Sequence, residues 1–331
     1  MADAVVRVAQ VGCGYWGKNL VRNFHELGAL CAVSDSSETV AAAMGATYGV
    51  PARSFEALLA SADVDAVSLA TPAPTHAEMA IRALKAGKHV FVEKPLSLDL
   101  GDARAMIEAA AAADRRLMVG HLLQHHPAFL TLKAAVADGA IGALRYVYSN
   151  RLSMGRIRTE ENVLWSFAPH DISMLLSVVD EALVSVSARG AAVVTPGVAD
   201  WCHCDFAFSS GLKAHVQAAW LHPFKEQRFV VVGALGSIVF EDSAADPTKK
   251  LALYKTRVET TGPVPVAVGA QPEYLEVPPG EPLRLECAHF LDSIIEGRPP
   301  RTDGAEGLRV LEALTRAESS LATYLARGTD D

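Results

Sequence analysis

The chain has 331 residues and a formal net charge of −8. That acidic balance argues against a general binder of nucleic acid or of anionic membrane surfaces. Half of the residues are hydrophobic and 21% are charged, the composition of a globular enzyme of about two domains at ~150 residues each. Five cysteines, Cys13, Cys31, Cys202, Cys204 and Cys287, show no framework spacing and point to free thiols in a reducing cytoplasm. No basic-then-apolar leader is read at the N-terminus. No apolar run reaches the ~18 residues of a membrane span.

The first part alternates strand and helix. Expected strands are Val5–Val11, Leu30–Ser34, Ala66–Ala70, His89–Val92 and Leu117–Val119. Helical patterns lie between them at Trp16–Leu27, Glu38–Tyr48, Phe55–Ser61, Thr75–Ala86 and Leu98–Ala113. Short buried strands separated by helices imply an α/β, doubly wound parallel sheet over residues 1–121, whose ligand sits beyond the carboxyl ends of the strands.

The first of those strand ends carries the strongest signal. Gly12, Gly14 and Gly17 stand between the first strand and the first helix, where glycines permit a tight turn and let backbone approach a pyrophosphate at a helix N-terminus. Asp35 ends the second strand, near the roughly 20 residues beyond the glycines at which a carboxylate accepts from the adenosine ribose. Such an acid repels a 2′-phosphate, so NAD is expected in preference to NADP. The other strand ends to consider are Asp35–Ser36, Thr71–His76, Glu93–Pro95 and His121–His126.

After residue 121 the rhythm changes. A helix is expected near Pro127–Ala137, a strand at Ala143–Leu152, and a helix around Ala168–Val178. Two-residue alternation then marks strands at Ser185–Gly190, Trp201–Phe208, Lys213–Trp220, Arg228–Val232 and Ser237–Phe240. Thr260–Gly280 reads as an irregular excursion, and helices at Leu283–Glu296 and Asp303–Leu325 follow. Residues 122–331 are thus expected to form an α+β substrate-binding and oligomerisation domain with an open, mainly antiparallel sheet.

The order GCGYWG, Asp35, ATPAPTH (Ala70–His76), GKHVFVEKP (Gly87–Pro95) and PHD (Pro169–Asp171) resembles the Gfo/Idh/MocA oxidoreductases. The resemblance implies an NAD-dependent enzyme acting on a sugar or cyclitol alcohol. The segment Ser149–Met174 is similar to the nucleotide-sugar 3-dehydrogenases of that family. These act on UDP-N-acetylglucosamine or its uronic acid and supply a 3-keto sugar to an aminotransferase. Lys94 and His170 are then the catalytic candidates. An ammonium beside a charged nicotinamide loses its proton more easily, and an imidazole shuttles one near neutral pH. The resemblance also implies a cis Lys94–Pro95 peptide. Many relatives carry an aspartate where this chain has Ser166, so the proton work falls to Lys94 and His170 alone.

Cofactor contacts are expected from Gly12, Gly14, Tyr15, Trp16, Gly17, Asp35, Ser36, Thr71, Pro72, His76, Glu93, Lys94 and Trp165. Substrate contacts are expected from Lys94, His125, Asn150, Arg151, Arg156, His170 and Asp171; Arg158 is a further guanidinium for a pyrophosphate. No metal is expected. His121, His125 and His126 lack a carboxylate or cysteine at ligand spacing, and Cys202 and Cys204 share one face of a strand with no second cysteine pair. The partners implied are a UDP-linked sugar, a second copy of the chain in a homodimer or homotetramer, and a downstream aminotransferase. Nucleic acid and membrane are not expected partners. Two alternatives stand beside this reading. One is a dehydrogenase or ketoreductase for another sugar, a sugar phosphate, an inositol or a TDP-deoxysugar. The other is a non-catalytic NAD-binding regulator.

Overall fold

A computed structural model describes residues 6–155, 157–260, 262–269 and 271–327. They divide into two compact units. One comprises the chain up to His125 together with Gly280–Leu311, the other His126–Pro279 and the chain from Glu312 onward. The expected division at residue 121 gave all the later chain to one domain; the structure instead packs Gly280–Leu311 with the first unit.

The first unit runs β1 (Val8–Val11), α1 (Gly17–Glu26), β2 (Leu30–Ser34), α2 (Glu38–Tyr48), α3 (Phe55–Ala60), β3 (Ala66–Leu69), α4 (His76–Lys85), β4 (His89–Glu93), α5 (Leu100–Ala112) and β5 (Leu117–Gly120). Val5, expected in the first strand, lies outside the described residues. All strand pairs are parallel in the order β2-β1-β3-β4-β5. β1, β3 and β5 are buried along their whole length, as strands covered on both faces must be. Ser37, Ser54 and Asp99 cap the helices that follow them by accepting backbone N–H groups. The order reverses between β1 and β3, the switch point at which such sheets bind ligands.

The second unit contains α6 (Pro127–Ala137), β6 (Leu144–Met154), α7 (Val163–Val178), β7 (Leu183–Ala191), β8 (Trp201–Phe208), β9 (Lys213–Ala219), β10 (Leu221–Gly233), β11 (Ser237–Glu241), β12 (Leu251–Tyr254), β13 (Arg257–Glu259), β14 (Val266–Val268) and β15 (Glu273–Tyr274). Eight of these strands form one sheet in the order β15-β12-β11-β10-β6-β9-β8-β7. β6 and β9 are parallel and the remaining neighbours antiparallel. β13 and β14 pair antiparallel apart from that sheet; β14 and β15 fall within Thr260–Gly280, expected to be irregular, and β13 just before it. Helix α7 packs on β6, β8 and β9. Val147, Ser149 and Arg151 of β6 are buried, while Tyr146, Tyr148 and Asn150 on the other face are half-buried. There Tyr148 stacks on His215 with ring centroids 5.4 Å apart, and His203 lies 4.8 Å from His215.

Two helices end the described chain, α8 (Pro282–Ile295) and α9 (Gly304–Arg327). In the first unit, Leu283, Cys287 and Phe290 of α8 join Leu20, Phe24, Phe91 and Met118 in one apolar cluster.

Candidate active site

The turn after β1 has the geometry of a phosphate cradle. Gly12 has φ +83°, and a Cβ there would stand 2.4 Å from the Ala70 carbonyl oxygen; a Cβ on Gly17 would stand 1.9 Å from the Gly12 oxygen. Both positions are closed to any side chain. Gly14 meets nothing within 4 Å, so its lack of a side chain serves something outside the protein's own packing. Helix α1 begins at Gly17 with no acidic residue in its first turn and no side-chain cap, which leaves the positive end of the dipole uncompensated for an anion. Asp35 locks the cradle: Oδ2 accepts from the Cys13 N–H at 2.7 Å and Oδ1 from the Ser37 N–H at 2.9 Å. Carboxylate lone pairs remain for a ribose diol. Closed Gly12 and Gly17, open Gly14 and the Asp35 carboxylate together fit a dinucleotide. Tyr15 is largely exposed and Ser36 exposed.

Trp16 joins the cradle to the end of β4, where its indole N–H donates to Glu93 Oε1 at 2.5 Å. Glu93 is buried, and burial pushes its carboxyl up to about 7 against the opposing Trp16 hydrogen bond and the charge of Lys94. Lys94 is half-buried at the strand's carboxyl end, and its peptide to Pro95 is cis. The ring nitrogens of buried His76 face the carbonyl oxygens of Pro95 at 2.8 Å and Thr71 at 2.9 Å. Burial holds that imidazole below its ordinary value. His76 thus stands between the Glu93–Lys94–Pro95 turn and the Thr71–Pro72 turn after β3, and as a neutral ring it donates to one of the two carbonyls.

The histidines after β5 go three ways. His121 Nδ1 lies 2.6 Å from Glu306 Oε2, and Gln124 donates to the same carboxylate at 3.0 Å. His125 is buried, accepts from Arg301 at 3.1 Å and packs on the His289 ring at 5.0 Å. Its ring is held well below the usual imidazole value by burial and by the charge of Arg301. His126 caps α6 by accepting the Ala128 N–H at 3.1 Å. Among the described residues no group of three His, Cys, Asp or Glu side chains is arranged to hold a metal ion. Cys202 and Cys204 are both buried on one face of β8, with His203 on the other.

In the second unit, His170 is half-buried on α7, near Pro169 in the helix interior. The helix starts at Val163, not near Ala168, because the Asn162 side chain accepts the Trp165 N–H at 3.2 Å. Glu318 of α9 tightens that start, accepting from Asn162 Nδ2 at 2.9 Å and from the Trp165 indole at 3.1 Å. Asp171, next to His170, is buried against β6, accepting from Ser149 Oγ and Arg151 Nε at 2.5 Å each. Asn150 donates to Glu226 at 2.8 Å. Arg158 pairs with Glu161, and Arg156 lies outside the described residues. Sequence reasoning missed Glu318, Ser149 and Glu226, which carry no motif. It also missed Asn162, for which the cap residue before an apolar run was an available signal.

Residues 6–121 match the oxidoreductase family with the NAD-binding Rossmann fold, and residues 129–239 match the GFO/IDH/MocA C-terminal domain. The chain is 30% identical over 326 residues to UDP-N-acetylglucosamine 3-dehydrogenase of Acidithiobacillus ferrooxidans, covering 97% of this chain and 99% of that protein. The crystal structure of that organism's enzyme superimposes with a TM-score of 0.85 at 28% identity, over 96% of this chain and 98% of the other. Inositol 2-dehydrogenase of Rhizobium meliloti is 30% identical over 224 residues, 64% of this chain and 68% of that protein. With the nucleotide cradle in place and similarity along nearly its whole length, this chain belongs to the Gfo/Idh/MocA family and is an NAD-dependent oxidoreductase acting on CH–OH groups.

Proposed function

We propose that the chain oxidises the C3 hydroxyl of a UDP-linked sugar, UDP-N-acetylglucosamine or its uronic acid, to a 3-keto sugar. The observation that carries this reading is 30% identity to a UDP-N-acetylglucosamine 3-dehydrogenase over 97% of this chain, where a myo-inositol 2-dehydrogenase that matches 96% of it is 28% identical. Bound NAD supplies the hydride acceptor. Lys94 and His170 are assigned to take up the hydroxyl proton. Glu93, through Trp16, steadies the turn that carries Lys94. Arg151 and Asp171 are assigned to hold α7 on β6, since each occupies the other; Asn150 is taken up by Glu226 on the opposite face of β6, and direct substrate contact is assigned to Lys94 and His170.

The 3-keto product is a substrate for a pyridoxal-type aminotransferase, which places this reaction ahead of amino-sugar formation. The Tyr146, Tyr148 and His215 face of the large sheet is the surface we assign to a second copy of the chain, in a homodimer or homotetramer. Among the described residues no helix is long and apolar enough to cross a membrane, and we assign the enzyme to the cytoplasm.

The test is NADH formation with UDP-N-acetylglucosamine, its uronic acid, myo-inositol, free sugars and sugar phosphates at equal concentrations. The proposal expects kcat/KM to be highest for a UDP-sugar. A preference for inositol would replace the substrate, and inertness toward every alcohol would favour a regulator. Lys94→Ala and His170→Ala should each lower kcat by about 10²–10⁴-fold while leaving NADH binding in place.

A further inference from the structure

Parallel strands covered on both faces carry apolar side chains, and β1 and β3 each depart from that rule once. Gln10 of β1 and Ser68 of β3 have no solvent exposure. They are register partners, their backbones about 5 Å apart, and partners in a parallel pair point to the same face. The pair two residues earlier identifies that face: Val8 and Ala66 pack with Leu20 and Phe24 of α1 and with Leu283, Cys287 and Phe290 of α8. Two polar side chains therefore lie side by side in an apolar layer, two residues below the glycine turn.

The nitrogen end of the Gln10 amide is engaged by the turn. Nε2 donates to the Gly12 carbonyl at 3.0 Å and to the Val11 carbonyl at 3.2 Å. Val11 O also accepts the Ala70 N–H at 2.9 Å, whereas the Gly12 oxygen is the atom that a Cβ on Gly17 would strike at 1.9 Å. Gln10 thus holds the carbonyl against which α1 starts. The oxygen end is different: Gln10 Oε1 has no hydrogen-bond partner, and neither has Ser68 Oγ. Buried polar atoms are seldom left so, and reversing the amide would set its oxygen against two carbonyl oxygens. We propose that one water is bound between Gln10 Oε1 and Ser68 Oγ, and that Gln10 and Ser68 are positioning residues for the nucleotide turn. β3 holds the Gln10 amide through the water, and the amide holds the Gly12 carbonyl. Water donates to the amide oxygen and exchanges a hydrogen bond with the hydroxyl, and neighbouring buried polar groups are where it is retained. The consequence for the nucleotide rests on reading the glycine turn as the pyrophosphate site; the water does not.

The test uses the full chain. A high-resolution crystal structure should show one water within about 3.2 Å of both Gln10 Oε1 and Ser68 Oγ. A dry gap, or a direct bond between the two side chains, would overturn the water. Calorimetry with NADH, at a temperature where melts show every variant folded, tests the positioning. Gln10→Met keeps the volume of the side chain, removes both ends of the bridge and should weaken NADH binding by about tenfold. Ser68→Ala should weaken it by about threefold. Because Ser68 acts through Gln10, adding Ser68→Ala to Gln10→Met should weaken it no further. Losses that add strictly would mean two separate packing defects and would overturn the positioning, as would wild-type affinity in Gln10→Met. Gly14→Ala distinguishes the two readings. Weak NADH binding in Gly14→Ala with wild-type affinity in Gln10→Met defeats this proposal alone, and wild-type affinity in both defeats the pyrophosphate assignment with it.

Discussion

Arg151 and Asp171 form a buried ion pair that fastens α7 to β6, with Nε 2.5 Å from Oδ2. Ser149 completes it by donating to Oδ1. Removing the guanidinium alone leaves a buried carboxylate with a single hydroxyl donor, whereas removing both charges leaves a smaller defect. Arg151→Met is expected to cost about 3 kcal/mol in chemical denaturation. Arg151→Met combined with Asp171→Asn should cost clearly less than the sum of the two single changes. Strict additivity would mean that the two charges do not depend on each other.

The glycine turn separates folding from ligand binding. A Cβ at Gly17 collides with the Gly12 carbonyl, and one at Gly14 meets nothing. Gly17→Ala should therefore lower the melting temperature of the chain without nucleotide. Gly14→Ala should melt like wild type yet bind NADH at least about tenfold more weakly, a loss of about 1.4 kcal/mol. Titration calorimetry and thermal melts on the two variants separate these effects. Unchanged NADH affinity in Gly14→Ala would show that the pyrophosphate does not approach there.

Much of this fold was legible in the chain, for physical reasons. Continuous apolar runs ended by polar or glycine residues gave every strand of the parallel sheet to within a few residues. Trp201–Phe208 was read to the residue from its two-residue alternation. The edge of the large sheet was not read. β12 is four residues and β15 two, too short for alternation to speak. The start of α7 was misplaced because Pro169 reads as a helix opener, while the side-chain cap from Asn162 had already begun the helix. The site was legible where backbone geometry demands a residue type, as at Gly12 and Gly17. It was opaque where a side chain's partner comes from distant chain. Nothing near Trp165 announces Glu318, and nothing near His121 announces Glu306.

Asp35 has two duties, and a substitution can separate them. Its carboxylate accepts the Cys13 and Ser37 N–H groups, and it is assigned to the adenosine ribose. Asp35→Ser keeps a hydroxyl acceptor but loses the charge that repels a 2′-phosphate. The ratio of NADPH to NADH dissociation constants should fall by at least about tenfold, a change of ~1.4 kcal/mol. A ratio that does not move would place cofactor selectivity elsewhere.

Two histidines of the first unit should make the fold labile to mild acid. His89 Nδ1 accepts the Arg116 N–H at 2.9 Å, and His289 Nε2 accepts the Arg301 N–H at 2.8 Å. Each ring uses an unprotonated nitrogen as acceptor, so protonation breaks the bond. Burial first, then the neighbouring arginines, lowers each imidazole from 6.5 to about 4. Above 6.5 both rings are neutral in the folded and unfolded chain and contribute no pH dependence. Between 6.5 and about 4 the unfolded chain binds protons that the folded chain does not, so stability falls as pH falls. Below about 4 the folded rings protonate too and this loss levels off. Glutamine offers a carbonyl acceptor that does not titrate in this range. His89→Gln and His289→Gln should each flatten the plot of melting temperature against pH between 6.5 and 4, and the double variant should flatten it most. Slopes identical to wild type in both single variants would assign the acid lability to other groups.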